Sequence, residues 1–162
     1  MPRILGIDPG SRILGYGIID LIDGEEHYVA SGCVRFDVNL SFIERLGQIF
    51  PALQSIIVKY QPSDAAIEDV FFAKNAASTI KLAQARGAAV ASILEKNILI
   101  TEYNPRAIKL ALVGKGSANK EQVSFMVQHR LKLAQAPQVD AGDALAVALC
   151  HLQHMLLKVE QQ

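Results

Sequence analysis

The stretch Ile4-Leu5-Gly6-Ile7-Asp8-Pro9-Gly10-Ser11 constrains the fold of this chain more than any other. Its apolar run has no polar alternation, as in a central strand covered on both faces. Pro9 cannot donate to a sheet ladder and Gly10 suits a positive φ, so the strand is expected to stop there. Asp8 therefore ends a buried strand. An ionised carboxylate in that position is costly unless a cation or a hydrogen-bond donor compensates it. Taken alone, the plainer reading of Asp8 is an acid facing water or bonding the turn. A chemical role requires other acids at the same place.

The rest of the chain supplies a frame for such a meeting. Ile13–Ile19 and His27–Phe36 read as two further strands, and the Asp23-Gly24 pair between them marks a hairpin turn. Phe42, Leu46, Ile49, Leu53, Ile56 and Ile57 recur at helical spacing. Ser41 and Glu44 form a capping-box signature before that helix, and Pro51 is expected to kink it. Ala65–Glu68 reads as a short buried strand ending in an acid. Ala76–Leu94 is an Ala-rich helix, in which Gly87 suggests the close approach of another helix. Ile98–Ile100 reads as another buried strand. Helices are expected from Pro105 to Leu112, from Lys120 to Leu131 and from Asp140 to Leu157. An antiparallel meander followed by strands alternating with helices means an α/β fold, a mixed sheet with helices on both faces. At 162 residues, 51% of them apolar, the chain is expected to form one globular domain, residues 1–162.

Four acids stand out by position. Asp8 and Glu68 end strands that can lie side by side. Asp140 and Asp143 open the last helix at i, i+3 and share one of its faces. The plain alternative for that last pair is capping and dipole stabilisation. Clustered carboxylates repel one another unless a cation sits among them. Hard oxygen ligands favour magnesium or manganese, and two such ions clamp the attacking and leaving oxygens of a phosphodiester. Lys109, Lys115 and Lys120 bracket the loop Gly114-Lys115-Gly116-Ser117, and Lys74, Lys81 and Arg86 lie on or before the long helix. They form a candidate phosphate track, with ordinary solvated side chains as the alternative. Of the adjacent Phe71 and Phe72, a regular strand buries only one, which leaves the other able to stack on bases; core packing is the alternative. Neither glycine cluster makes a nucleotide cradle. Gly15-Tyr16-Gly17 lacks a third glycine, and Leu110 stands where a P-loop needs its first.

The balance of 16 basic and 16 acidic residues argues against a strongly basic coat but allows a local basic face. Two cysteines suggest neither a disulfide framework nor a zinc site. With no signal-peptide pattern and no apolar run of membrane-spanning length, the chain is expected in a reducing cytoplasm, away from membranes.

Four segments together resemble the RuvC family of bacterial Holliday-junction resolvases. They are Ile4 to Arg12, Ile67 to Asn75, Gln84-Ala85-Arg86-Gly87 and Asp140-Ala141-Gly142-Asp143-Ala144-Leu145-Ala146. The first is shared with other ribonuclease-H-like proteins; the four in this order are specific. The resemblance implies a ribonuclease-H-like fold and a homodimer. It also implies an endonuclease that makes paired, Mg²⁺-dependent nicks in opposed strands of a four-way DNA junction, in recombination and repair, leaving 5′-phosphate and 3′-hydroxyl ends. Two Mg²⁺ per subunit, with Mn²⁺ as a substitute, are implied. The family's catalytic acids map onto Asp8, Glu68, Asp140 and Asp143. Its catalytic-loop aromatic maps onto Phe71 and its important lysines onto Lys109 and Lys120. Some relatives carry histidine at the last acid position, where this chain has Asp143. The family also implies partnership with the RuvA–RuvB branch-migration machinery. A nuclease of the YqgF type shares the first motif, but the Glu68-to-Asn75 segment argues against it. A non-catalytic junction binder would not need four clustered acids, and an actin-like ATPase would need a longer chain.

Overall fold

A computed structural model describes residues 1–69 and 75–159. The elements are β1 (Arg3–Asp8), β2 (Ile13–Ile22), β3 (Glu25–Arg35), α1 (Phe42–Tyr60), β4 (Asp64–Glu68), α2 (Ala76–Leu94), β5 (Leu99–Tyr103), α3 (Pro105–Val113), α4 (Lys120–Arg130) and α5 (Val139–Val159). One sheet runs in the order β3-β2-β1-β4-β5. The first three strands are antiparallel, and β4 and β5 run parallel to β1. This is the expected mixed sheet, with β1 at its centre.

The apolar side chains of β1 divide between two cores because successive residues of a strand point to opposite faces. Leu5 and Ile7 pack with Ile49 and Leu53 of α1 and with Ala85, Ala89 and Ile93 of α2. Ile4 packs on the other face with Leu145 and Leu149 of α5, Ile108 and Leu112 of α3 and Val127 of α4. Helices therefore cover both faces. Residues 144–152 of α5 are buried without interruption, so this helix is a core element rather than a surface one. No described helix is long and apolar enough to cross a membrane.

Local signals act as read. Asp23 and Gly24 both take positive φ, 52° and 82°, as a two-residue hairpin turn requires. Ser41 and Glu44 complete a reciprocal capping box on α1. Three sequence expectations are corrected. Gly10 is not at positive φ; a Cβ there would lie 2.5 Å from the Ile13 carbonyl oxygen, so a close turn excludes a side chain. A Cβ on Gly87 would meet nothing within 4 Å among the described residues, so no described helix approaches it closely. β5 is an edge strand with Leu99 75% exposed, and only Ile98 before it is fully buried. Its one-sided pairing with β4 leaves the outer flank to solvent. Pro51 lies inside α1, which runs on as one helix. The carbonyl its ring would crowd belongs to Gly47, on the exposed side of α1.

Candidate active site

Strand alternation decides which way the first two acids point. Asp8 shares its face of β1 with Ile4 and Gly6, and Glu68 shares its face of β4 with Ala66, so both look toward α5. β1 and β4 pair in parallel from Ile4↔Asp64 to Ile7↔Ile67. One further step along that register sets Asp8 level with Glu68. The turn after Asp8 is held from the opposite side by the buried Arg45 of α1. Its Nε donates to the Ser11 carbonyl at 2.9 Å and its Nη1 to the Leu40 carbonyl at 2.7 Å.

Glycines bring the other two acids in. Gly6 and Gly17 are cross-strand partners, as are Asp8 and Gly15, and all three glycines face α5. A Cβ on Gly6 would lie 1.9 Å from the Ala144 carbonyl oxygen, and one on Gly15 would lie 2.1 Å from that of Asp140. On Gly17 it would meet Leu145 at 2.6 Å. The backbone of α5 thus rests directly on bare sheet. Its first turn reaches Asp8 only because no side chains intervene. In the sequence, Gly15 and Gly17 suggest only a nucleotide cradle, and this packing role is not apparent. The signal for it was their period-2 spacing on the strand beside Asp8.

The electrostatics report the convergence. Burial, followed by the charges of Asp143, Asp140 and Glu68 and a side-chain hydrogen bond with Asp140, pushes the Asp8 carboxyl up to about 8. Glu68 is raised by burial and by Asp143, and lowered in part by Lys120 and Lys109. The Lys120 ammonium is raised, mainly by Asp143, from which its Nζ lies 3.2 Å. Asp8 thus feels the other three acids and Glu68 feels Asp143, a repulsion that a cation among them would relieve. Among the described residues no three His, Cys, Asp or Glu side chains form a ready-made ligand cage. The four carboxylates fit a hard divalent cation, and the nearby Cys33 thiol, which feels Asp140 and Asp8, has its pKa raised by burial, which disfavours the thiolate a soft metal would need.

A cleft of about 600 Å³ opens beside this cluster between α3, α4 and the start of α5, with Glu68 and Asp143 in its wall. Lys109 and Lys120 line it. The other predicted basic residues disperse. Lys115 stands in the exposed α3–α4 loop, outside the cleft. Lys81 lies over the ring of Phe42 on α1, 5.6 Å from its centroid. Arg86, expected on the phosphate track, is turned inward. Its Nε donates at 3.4 Å to the Glu68 carbonyl, and its Nη2 lies 3.0 Å from the Glu102 carboxylate without hydrogen-bond alignment. It ties α2 to the ends of β4 and β5 through one long hydrogen bond and one ion pair. Phe71 and Lys74 lie outside the described residues.

A family model described as crossover junction endodeoxyribonuclease RuvC matches residues 4–151. The chain belongs to the RuvC family. Proteins of that description from Shewanella piezotolerans and Shewanella amazonensis are 52% and 54% identical to it over 151 residues, which covers 93% of this chain and 87% of each relative. The structure of Thermus thermophilus RuvC in complex with Holliday junction substrate superposes with a TM-score of 0.91 at 29% identity, covering 98% of this chain and 97% of that one. The ribonuclease-H-like fold expected from the motifs is thus the fold observed. All four acids of the RuvC-like motifs lie within the matched span, as do Lys109 and Lys120.

Proposed function

We infer that this chain is a crossover junction endodeoxyribonuclease that resolves four-way DNA junctions by metal-assisted hydrolysis. The observation that carries this reading is the convergence of Asp8, Glu68, Asp140 and Asp143, from two strands and a helix, beside a cleft walled by Lys109 and Lys120. Membership of the RuvC family supports the substrate.

In this reading the four acids are the catalytic set and would hold two Mg²⁺ ions, with Mn²⁺ as a substitute. Such ions, when bound, supply a hydroxide-like water at neutral pH and stabilise charge on the departing oxygen. The chain's own residues do the positioning. Lys109 and Lys120 hold a backbone phosphate at the cleft mouth as point charges, and Lys120 also orients Asp143. The glycine-seated α5 fixes the separation of Asp140 and Asp143 from Asp8. Attack in line on phosphorus breaks the bond to the 3′ oxygen, and the products carry 5′-phosphate and 3′-hydroxyl ends. Lys115, Lys81 and Lys74 add phosphate contacts, and Phe71 stacks at the crossover.

A homodimer matches two cuts to a two-fold junction. In support, α2 presents Ile80, 57% exposed, and Leu94, 50% exposed, with Gly87 open to close approach. The whole chain acts as one nuclease domain in the cytoplasm, downstream of the RuvA–RuvB machinery.

The test compares a synthetic four-way junction with linear duplex in Mg²⁺. Symmetric nicks confined to the junction are expected. Asp8→Asn, Glu68→Gln, Asp140→Asn and Asp143→Asn should each lower single-turnover cutting by at least about 10²-fold, the scale on which losing one charge-stabilising group acts. Junction binding should survive or tighten, because each change removes repulsion toward phosphate. Cutting by Asp8→Asn at the wild-type rate would overturn the reading.

A further inference from the structure

The cleft wall also carries an aromatic ring that the chemistry above does not use. Phe125 is 65% exposed on α4, among the exposed polar residues Glu121, Gln122 and Ser124. So polar a helix face leaves most of the ring open to solvent. It lies parallel to the ring of His129 one turn on, 7° between planes and 5.9 Å between centroids, which limits its tilt. Val139, 67% exposed, stands in the same cleft at the start of α5. Gln128 and Ser124 add hydrogen-bonding groups to the lining.

We propose that this end of the cleft is a nucleobase subsite, in which a base adjoining the scissile phosphate leaves the stack, lies on Phe125 against Val139, and is read at its edge by Gln128 and Ser124. This proposal deepens the junction-endonuclease reading and rests on it. Three features support a nucleotide as the occupant. The cleft is continuous with the acid cluster through Glu68 and Asp143. Its lining suits both parts of a nucleotide, with Lys109 and Lys120 available for phosphate and Val123, Phe125 and Val139 available for the apolar face of a base. Its volume of about 600 Å³ is that of a small-molecule site rather than a groove for a helix or strand. Lys120 and Phe125 are five residues apart on α4, about 7.5 Å along its axis, so a phosphate at one and a base at the other fit neighbouring parts of one strand. Bases at a crossover lack continuous stacking partners, which lowers the cost of drawing one out. The subsite would therefore be where a preferred cleavage sequence is read.

The experiment uses a set of four-way junctions that vary the bases flanking the cut. Single-turnover rates are compared for wild type, Phe125→Ala, Phe125→Leu and Phe125→Trp. A junction carrying 2-aminopurine beside the cut is titrated with Asp8→Asn and with Asp8→Asn/Phe125→Ala. In wild type one flanking sequence should be cut fastest. Phe125→Ala and Phe125→Leu should shrink the ratio of best to median sequence by about five- to a hundredfold, the range that base–aromatic stacking spans, and Phe125→Trp should keep it. The 2-aminopurine signal should change on binding Asp8→Asn and stay unchanged with the double variant. Phe125→Leu retains an apolar side chain, so a folding defect in Phe125→Ala alone does not mimic the pattern. Wild type that cuts junctions without sequence preference overturns the proposal. So does a Phe125→Ala that keeps the ratio, or a fluorescence change that ignores Phe125. Wild type that does not cut junctions at all overturns the underlying junction-endonuclease reading instead.

Discussion

Gly15→Ala places one methyl group between the sheet and the first turn of α5, and its effect can be worked from the contact it would make. The added carbon would sit 2.1 Å from the Asp140 carbonyl oxygen and 2.4 Å from its carbonyl carbon. Both are backbone atoms, so no side-chain rotation relieves the clash. Opening 2.1 Å to an ordinary contact of 3.4 Å displaces the start of α5 from β2 by about 1.3 Å. Overpacking of this kind costs about 1–3 kcal/mol of stability. The helix is anchored farther along by Leu145 and Leu149, both fully buried, so the chain should fold with a lowered melting temperature. Catalysis should suffer more. Gly15 pairs with Asp8 across the strands, so the displacement falls between Asp8 and Asp140 themselves. A misplacement of about 1 Å at a reacting centre costs on the order of 10² in rate. Single-turnover cutting of a four-way junction should therefore fall about 10²-fold, while junction affinity without divalent cations stays within a few-fold of wild type. Gly47→Ala is the comparison. It meets nothing within 4 Å on an exposed part of α1 and should stabilise by about 0.5–1 kcal/mol without touching cutting. If Gly15→Ala cuts at the wild-type rate with unchanged melting temperature, α5 does not rest on Gly15 and the account of how the acids meet is wrong.

Two further predictions concern stability. Burial holds the His151 imidazole below its ordinary value, with Lys158 and His154 pushing the same way and Asp64 opposing. The unfolded chain therefore takes up the proton first, so stability should fall as pH drops below the unfolded value of about 6.5 and level off once the folded form is protonated too. A His151→Gln variant, weakened by loss of the 2.9 Å bond between Nδ1 and the Tyr103 hydroxyl, should show a flatter melting-temperature profile between pH 7.5 and about 5.5; an equally steep one would refute this assignment. Arg130 on α4 pairs through two nitrogens with Glu26 on β3, and both side chains are less than one-fifth exposed. Arg130→Ala should cost about 3 kcal/mol in urea unfolding, because it leaves a buried carboxylate unpaired, and Glu26→Gln in the same background should recover part of it.

What could be read from the sequence was what neighbours in sequence decide. Strand ends, the Asp23-Gly24 turn, the Ser41–Glu44 box, the Asn104-Pro105 start of α3 and the i, i+3 pairing of Asp140 and Asp143 are set within a few residues. The run around Asp8 was also sufficient to place β1 in the middle of the sheet, since only a strand covered twice needs to be apolar throughout. The acids were legible as candidates because each ends or opens an element. That they meet is an expectation the resemblance supplies; how they meet is not legible, because it depends on contacts across more than a hundred residues. Gly6, Gly15 and Gly17 carry no chemistry of their own. Their meaning appears only when α5 lies on them and the absence of a Cβ becomes the reason Asp140 reaches Asp8. The same holds for charge. Spacing alone does not separate the six basic side chains, and only the resemblance singles out Lys109 and Lys120; tertiary packing puts those two in the cleft, lays Lys81 over Phe42 and turns Arg86 in toward Glu102. A flexible cation points where its surroundings offer acceptors or aromatic faces, and spacing along the chain does not say where those are. Phe125 was passed over for the complementary reason. A lone aromatic on a polar helix looks like surface until the cleft beneath it is seen to end at Glu68 and Asp143.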